Sequence, residues 1–270
     1  MATPDVDPDL TAELLDVALQ AASAAAELVH GSRPADLTVE TKSSATDHVT
    51  NMDRSSEALV RRIIQRRRPA DAVIGEEDGG TATDTGVTWW VDPIDGTTNY
   101  VYDHPGYAVS VAAWVDGQPV AAVVEDPTHG RTYSASRDMG AFCNGERLQL
   151  GAPPPLSQML VATGFGYDPA RRSNQGQVVA SILADIRDIR RMGAAAVDLC
   201  SVAAGRVDAY YEVGLSWWDL AGGLLVAMEA GAAVEAIEGG PPRPGSVLAC
   251  HPDRTAELRD LLLTAGASGL

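Results

Sequence analysis

The sequence is short of cysteine, histidine and phenylalanine, holds far fewer basic than acidic residues, and has no long uncharged apolar run. Each shortage excludes something. Cys143, Cys200 and Cys250 are odd in number, widely spaced and set among apolar neighbours, with no C-x-x-C pair. They are expected as buried free thiols in a reducing compartment, not as a disulfide framework or a thiol nucleophile. Histidine is nearly absent from the acidic stretches described below, which argues against zinc. The formal charge of −17 argues against nucleic acid or an anionic membrane as the main partner. It leaves an anionic substrate open, because bound cations invert a local field. No uncharged apolar run approaches the ~18 residues of a membrane span. Asp5, Asp7, Asp9 and Glu13 precede any basic residue, unlike a secretory signal, so a cytoplasmic protein is expected.

What the sequence does hold is enough Ala, Val and Leu, in 270 residues, to fill the core of one large domain or two small ones. The rest is organised around Trp89-Trp90-Val91-Asp92-Pro93-Ile94-Asp95-Gly96-Thr97-Thr98-Asn99. Residues 87–91 read as a buried strand. It ends in two carboxylates, Asp92 and Asp95, around a proline that fixes φ and donates no hydrogen bond, so Pro93 is expected outside both helix interior and mid-sheet. Gly96, Thr97 and Thr98 supply small residues and free amides where a helix starts. Two acids beside unsatisfied amides suit a divalent cation next to a phosphate. The plainer alternative is that both acids only cap a turn.

Residues 9–31 predict a helix with Leu10, Leu14, Val17, Ala21 and Leu28 on one face. A polar loop from Lys42 leads into a second helix ending at Arg68, with Asp53 near its first turn, where a helix-dipole role is the simplest reading. The run Arg61, Arg62, Arg66, Arg67 and Arg68 reads as that helix's solvated face, with Leu59, Val60, Ile63 and Ile64 inward. A strand is expected over 72–75, before Glu76 and Glu77. Strands over 107–115, 120–124, 131–135 and 147–150, with turn signals at Asp116-Gly117 and Asn144-Gly145, predict an antiparallel meander. Pro153, Pro154 and Pro155 mark the best internal boundary, dividing 1–151 from 152–270 within one catalytic unit. Beyond it strands and helices alternate: strand 159–163, helix 175–186, strand 189–192, helix 193–204, strand 207–211, helix 219–230, strands 232–237 and 247–250, and a closing helix 252–263.

Acids stand at strand ends or helix starts in four places: Asp53, Glu76, Asp92 with Asp95, and Asp219 after Trp217-Trp218. This is an all-oxygen set of the kind that Mg²⁺ takes. Acids alone are a weak signal, since most are surface charges; their shared placement lifts them.

On these residues the chain resembles the inositol monophosphatase family of Mg²⁺-dependent, lithium-inhibited phosphatases. WVDPIDGTTNY at 90–100 matches its first signature, and WDLAGG at 218–223 its second. KSSATDHVTNMD at 42–53, GEE at 75–77 and DAYYE at 208–212 follow in the expected order. The resemblance implies an α/β fold of αβαβα layers and a homodimer. It implies that Glu76, Asp92 and the Ile94 carbonyl hold one Mg²⁺. Asp92, Asp95 and Asp219 would hold a second, and Glu76 would reach a third. The Gly96 and Thr97 amides would hold phosphate, and Thr97 with Asp53 would activate water. Asp95, Gly193, Ala195 and Glu212 would contact substrate, a small-molecule phosphate ester. Ala194 stands where the family usually has Ser or Thr, so a side-chain contact is lost there. Myo-inositol 1-phosphate is the leading substrate expectation. Fructose 1,6-bisphosphate, histidinol phosphate or another polyol phosphate is the alternative. A regulatory role through a transcription partner, reported for some bacterial members, is the reading from another class.

Overall fold

The computed structural model describes residues 6–34, 37–42 and 48–267; Asp5 and residues 43–47 of the polar stretch lie outside the described residues. The chain opens with α1 (Pro8–Gly31), capped by Asp7 and burying Leu14, Val17, Ala21 and Ala25 along one stripe. β1 (Val39–Thr41) and β2 (His48–Thr50) pair antiparallel, β2 falling within the stretch from Lys42 expected to be loop. α2 (Asn51–Arg67) follows.

β3 (Ala72–Gly75), β4 (Val87–Asp95), the short helix α3 (Thr97–Val101), β5 (Ala108–Val115), β6 (Gln118–Asp126), β7 (Arg131–Ser136), β8 (Gly140–Cys143) and β9 (Glu146–Leu148) come next. The strands form a seven-stranded sheet in sequence order. From β4 onward it is the predicted antiparallel meander; β3 instead joins β4 in parallel. Asp116 (φ 49°) and Gly117 (φ 75°) have the paired positive φ values of a tight hairpin turn, as do Asn144 and Gly145.

After a 3₁₀ turn come β10 (Leu160–Thr163), α4 (Pro169–Ile182), β11 (Asp188–Arg190), α5 (Ala195–Ala203), β12 (Ala209–Val213), α6 (Trp217–Glu229), β13 (Ala233–Glu235), β14 (Ser246–Cys250) and α7 (Pro252–Thr264). The second sheet runs β11-β10-β12-β14-β13, parallel at the β10 pairings and antiparallel around β14.

Four apolar clusters separate five layers. Val17, Val60, Ile64 and Trp89 join α1 and α2 to the first sheet. Ala112, Val124, Cys200 and Leu225 join its other face to α5 and α6. Leu199, Leu220, Tyr210 and Val247 join those helices to the second sheet. Val178, Leu258, Val161 and Leu248 close it against α4 and α7. This is the αβαβα order. α5 is buried at all nine positions because it lies in the middle layer, where a helix is apolar all round.

Beyond the β1–β2 pair and the parallel β3, β8 is a strand that was not expected, and three element boundaries move. α4 starts six residues early, because Asp168 accepts from the Arg171 amide (2.8 Å) and Pro169 opens the first turn. β12 continues through Glu212, which was placed after the strand. β4 continues past Val91 to Asp95. Cys200 and Cys250 are buried, Cys143 is half-buried, and all three are free. Among the described residues no helix is long and apolar enough to cross a membrane.

Candidate active site

Residues three apart on a regular strand face opposite sides. Asp92 and Asp95 nevertheless line one cleft, because the β4–β5 register shifts between them. Pro93 lies in that irregularity. It lacks the N–H that a regular ladder needs there, and its carbonyl accepts from Ser56 Oγ (3.0 Å). Asp92 Oδ1 accepts from the Ile94 amide (3.1 Å), which fixes the bulge. Gly96 then turns the chain with φ +87°. A Cβ there would meet the Gly106 and Gly193 carbonyls at 3.0 Å, so the turn needs glycine for two reasons.

Asp53 does two jobs with its two oxygens. Oδ2 accepts from the Thr50 amide (2.8 Å) and hydroxyl (2.6 Å), completing the cap of α2. Oδ1 meets Thr97 Oγ1 at 3.1 Å, and that hydroxyl also lies 3.0 Å from the Ile94 carbonyl. The helix-end reading of Asp53 and its pairing with Thr97 therefore hold together.

Glu76 follows β3 and is tied to β4 by its amide, which donates to the Val91 carbonyl (3.2 Å). Lys42 Nζ bonds Glu76 (2.8 Å) and Glu77 (2.5 Å). Beneath this turn lies Glu57, fully buried, accepting from the Glu77 (2.8 Å) and Asp78 (3.1 Å) amides and from Arg61 Nε (2.8 Å). Arg61 also donates to the Val73 carbonyl (2.8 Å). It is therefore a structural cation under the site, not part of a solvated basic face. Periodicity alone marked it as surface.

The second half supplies three more groups. Asp95 accepts from the Ala195 (3.2 Å) and Ala196 (2.6 Å) amides, so it caps α5 from another layer. Ala194 occupies the capping position and has no side chain that can serve. The Ala195 amide is thus engaged by Asp95. Asp219, in the first turn of α6, accepts from the Ser216 amide (2.6 Å). Glu212 Oε2 accepts from the Tyr210 hydroxyl (2.7 Å).

Glu76, Asp92, Ile94, Asp95, Gly96, Thr97, Gly193, Ala195, Glu212 and Asp219 share one cleft of about 580 Å³; Asp53 sits behind Thr97. The acids repel one another. Burial pushes Asp92 well above the usual carboxylate range, and the charges of Glu76, Asp95 and Asp219 add to it. Burial and Asp219 raise Asp95, against the pull of the α5 amides. Asp219 rises to about 7 through burial, opposed by the Ser216 amide. Glu212 also rises to about 7 through burial, opposed by Tyr210 and Arg191. Burial raises Asp53 as well.

These all-oxygen donors fit a hard cation, which would neutralise the crowded charge. Among the described residues no three of these carboxylates close into a metal shell. Glu76 is drawn to Lys42, and Asp95 to α5. Glu57, Arg61 and Tyr210 were not read from the sequence as site residues, since nothing local marks a contact made across layers.

The fold and this cleft define a layered α/β protein with a buried all-oxygen acidic site, and comparison with known proteins gives its family. The model of the inositol monophosphatase family matches residues 10–265, and the chain belongs to that family. An inositol-1-monophosphatase of Mycobacterium leprae is 43% identical over 286 aligned positions, covering 98% of this chain and 96% of its own. A Pasteurella multocida protein named Nus factor SuhB is 38% identical, covering 84% of this chain and 86% of its own. The crystal structure of the extragenic suppressor protein SuhB of Bartonella henselae superposes with a TM-score of 0.87 at 32% identity, covering 93% of this chain and 98% of that one.

Proposed function

We propose that the chain is a Mg²⁺-dependent phosphomonoesterase acting on myo-inositol 1-phosphate. The observation that carries this is the bulge that turns Asp92 and Asp95 into one cleft with Asp219 and Glu76. Glu76, Asp92 and the Ile94 carbonyl are the proposed ligands of one ion; Asp92, Asp95 and Asp219 are those of a second. Bound there, Mg²⁺ supplies charge neutralisation for the phosphoryl group and lowers the pKa of water. The Gly96 and Thr97 amides orient phosphate at the start of α3. Thr97 positions the attacking water, and Asp53 takes its proton through the Thr97 hydroxyl, a route supported by the 3.1 Å contact. Glu212 receives hydrogen bonds from ring hydroxyls.

Phosphate release from inositol 1-phosphate, with Mg²⁺ and with chelator, tests this reading; release that chelator leaves untouched contradicts it. A second reading, partner binding in transcription, is favoured by the relatives named Nus factor. A stoichiometric partner retained by a variant lacking the cleft acids would support it. Sedimentation of the full chain tests the homodimer that the family resemblance implies.

A further inference from the structure

Three segments of backbone converge beside the cleft, at Gly96, Gly106 and Gly193. A Cβ on Gly96 would lie 3.0 Å from the carbonyls of both Gly106 and Gly193. Into this junction Asn99, from α3, sends its side-chain amide. Nδ2 donates to the Gly106 carbonyl (2.6 Å) and to the Met192 carbonyl (2.8 Å). A Cβ on Gly106 would lie 3.4 Å from that nitrogen, and a Cβ on Gly193 3.1 Å from it. The amide is therefore seated in a slot between two glycines, and Asn99 is buried. An amide NH₂ carries two protons, and each finds a carbonyl here.

The two bonds differ in what depends on them. α3 is held by other contacts: the buried Tyr100 donates its hydroxyl to the Val29 carbonyl (3.2 Å), and Arg33 donates to the Tyr100 (3.1 Å) and Val101 (3.2 Å) carbonyls. Gly106 is held too, its amide donating to Thr128 Oγ1 (3.1 Å). The entry to α5 has less support. Among the described residues, residues 191–196 make three hydrogen bonds to the first half of the chain. Two run from the Ala195 and Ala196 amides to Asp95, and the third is the Asn99 bond to Met192. Ala194, at the capping position, adds none. Asp95 thus fixes the start of the helix, and Asn99 fixes the approach to it. Between those anchors lies Gly193, which with Ala195 lines the cleft opposite Gly96 and Thr97.

We propose that Asn99 is a positioning residue that sets the span between the phosphate end of the cleft, at Gly96 and Thr97, and its ring-facing wall, at Gly193 and Ala195. It thereby selects polyol phosphates by the fit of the ring. The proposal rests on the phosphatase reading above. Asn99 itself touches neither phosphate nor ring. Without its NH₂ the Gly106 and Met192 carbonyls lose their shared donor, and the Met192–Gly193 backbone is free to move away from α3. The α3 amides stay in place for phosphate. Ring contacts made equally in ground and transition states weaken, which raises KM and leaves kcat.

The test is steady-state kinetics of the full chain with Mg²⁺ on inositol 1-phosphate and on p-nitrophenyl phosphate, which has no ring hydroxyls. In Asn99→Ala, KM for inositol 1-phosphate should rise about tenfold, the size of one lost hydrogen bond, with kcat within about twofold of wild type. For p-nitrophenyl phosphate, kcat/KM should stay within about twofold. Asn99→Ser keeps one donor and should fall between Asn99→Ala and wild type. Equal losses on the two substrates, or a loss confined to kcat, overturn the positioning role and leave the phosphatase reading standing. So does failure of both variants to show a cooperative melting transition, since the bond would then hold the fold and not the ring. A wild type that cleaves neither compound overturns the phosphatase reading and this role with it.

Discussion

Gly75→Ala tests the support beneath the site. Gly75 ends β3, immediately before Glu76. A Cβ built there would lie 2.5 Å from Glu57 Oε2 and nearer still to its Cδ. Glu57 has no room to retreat, being fully buried. Its displacement would weaken the Arg61 pair and release the Glu77 and Asp78 amides. Breaking a buried charged pair costs about 3–5 kcal/mol. At about 2–4 °C per kcal/mol for a chain of this size, melting should fall by roughly 10 °C. Phosphatase activity should fall with it, because Glu76 and the Lys42 contacts ride on the same turn. Calorimetry and phosphate release on the purified variant measure both. Gly176→Ala is the control. That glycine is exposed inside α4, with open space around it, so alanine should stabilise by about 0.5–1 kcal/mol. A Gly75→Ala protein that melts within 2 °C of wild type, by this order-of-magnitude account, would refute the packing argument.

Other variants separate the roles. Asp95→Asn should lower turnover at least about a hundredfold if it is the metal ligand proposed above. Its fold should survive: it loses one acceptor for the α5 amides but relieves repulsion from Asp219. Near-normal turnover would remove Asp95 from the mechanism. Glu212→Gln should raise KM for inositol 1-phosphate while sparing p-nitrophenyl phosphate, which has no ring hydroxyls; equal effects on both would contradict a substrate role. The pH dependence follows from Asp219 and Glu212, held near 7 against ordinary values of about 4. The folded chain binds more protons than the unfolded one between those values. In chelator, melting should therefore fall as pH rises from 4 to 7, and Mg²⁺ should restore it at pH 8 far more than at pH 5. Parallel melting curves with and without Mg²⁺ would refute this.

Hairpin chemistry was the most legible part of the sequence. Asp116-Gly117 and Asn144-Gly145 take the positive φ values that their residue types favour, and they fix the meander. The parallel entry of β3 was not legible, because nothing local to residues 72–75 marks the strand it pairs with. The early start of α4 had a local signal in Asp168-Pro169 that the apolar pattern, weaker there, obscured. In the site, the spacing of Asp92, Pro93 and Asp95 suggested two acids delivered together. The bulge that turns both to one side depends on pairing with β5. Glu57 and Arg61 were hidden for the same reason. On the helix they are an ordinary ion pair four apart, and only the layer above makes one buried and the other its counter-charge.

The most direct measurement of the central claim is phosphate release by the purified chain with Mg²⁺ and with chelator, across inositol 1-phosphate, fructose 1,6-bisphosphate, histidinol phosphate and adenosine 3′,5′-bisphosphate. The account predicts Mg²⁺-dependent release from inositol 1-phosphate, abolished by chelator. No release from any of the four compounds, or release that chelator does not change, would contradict it.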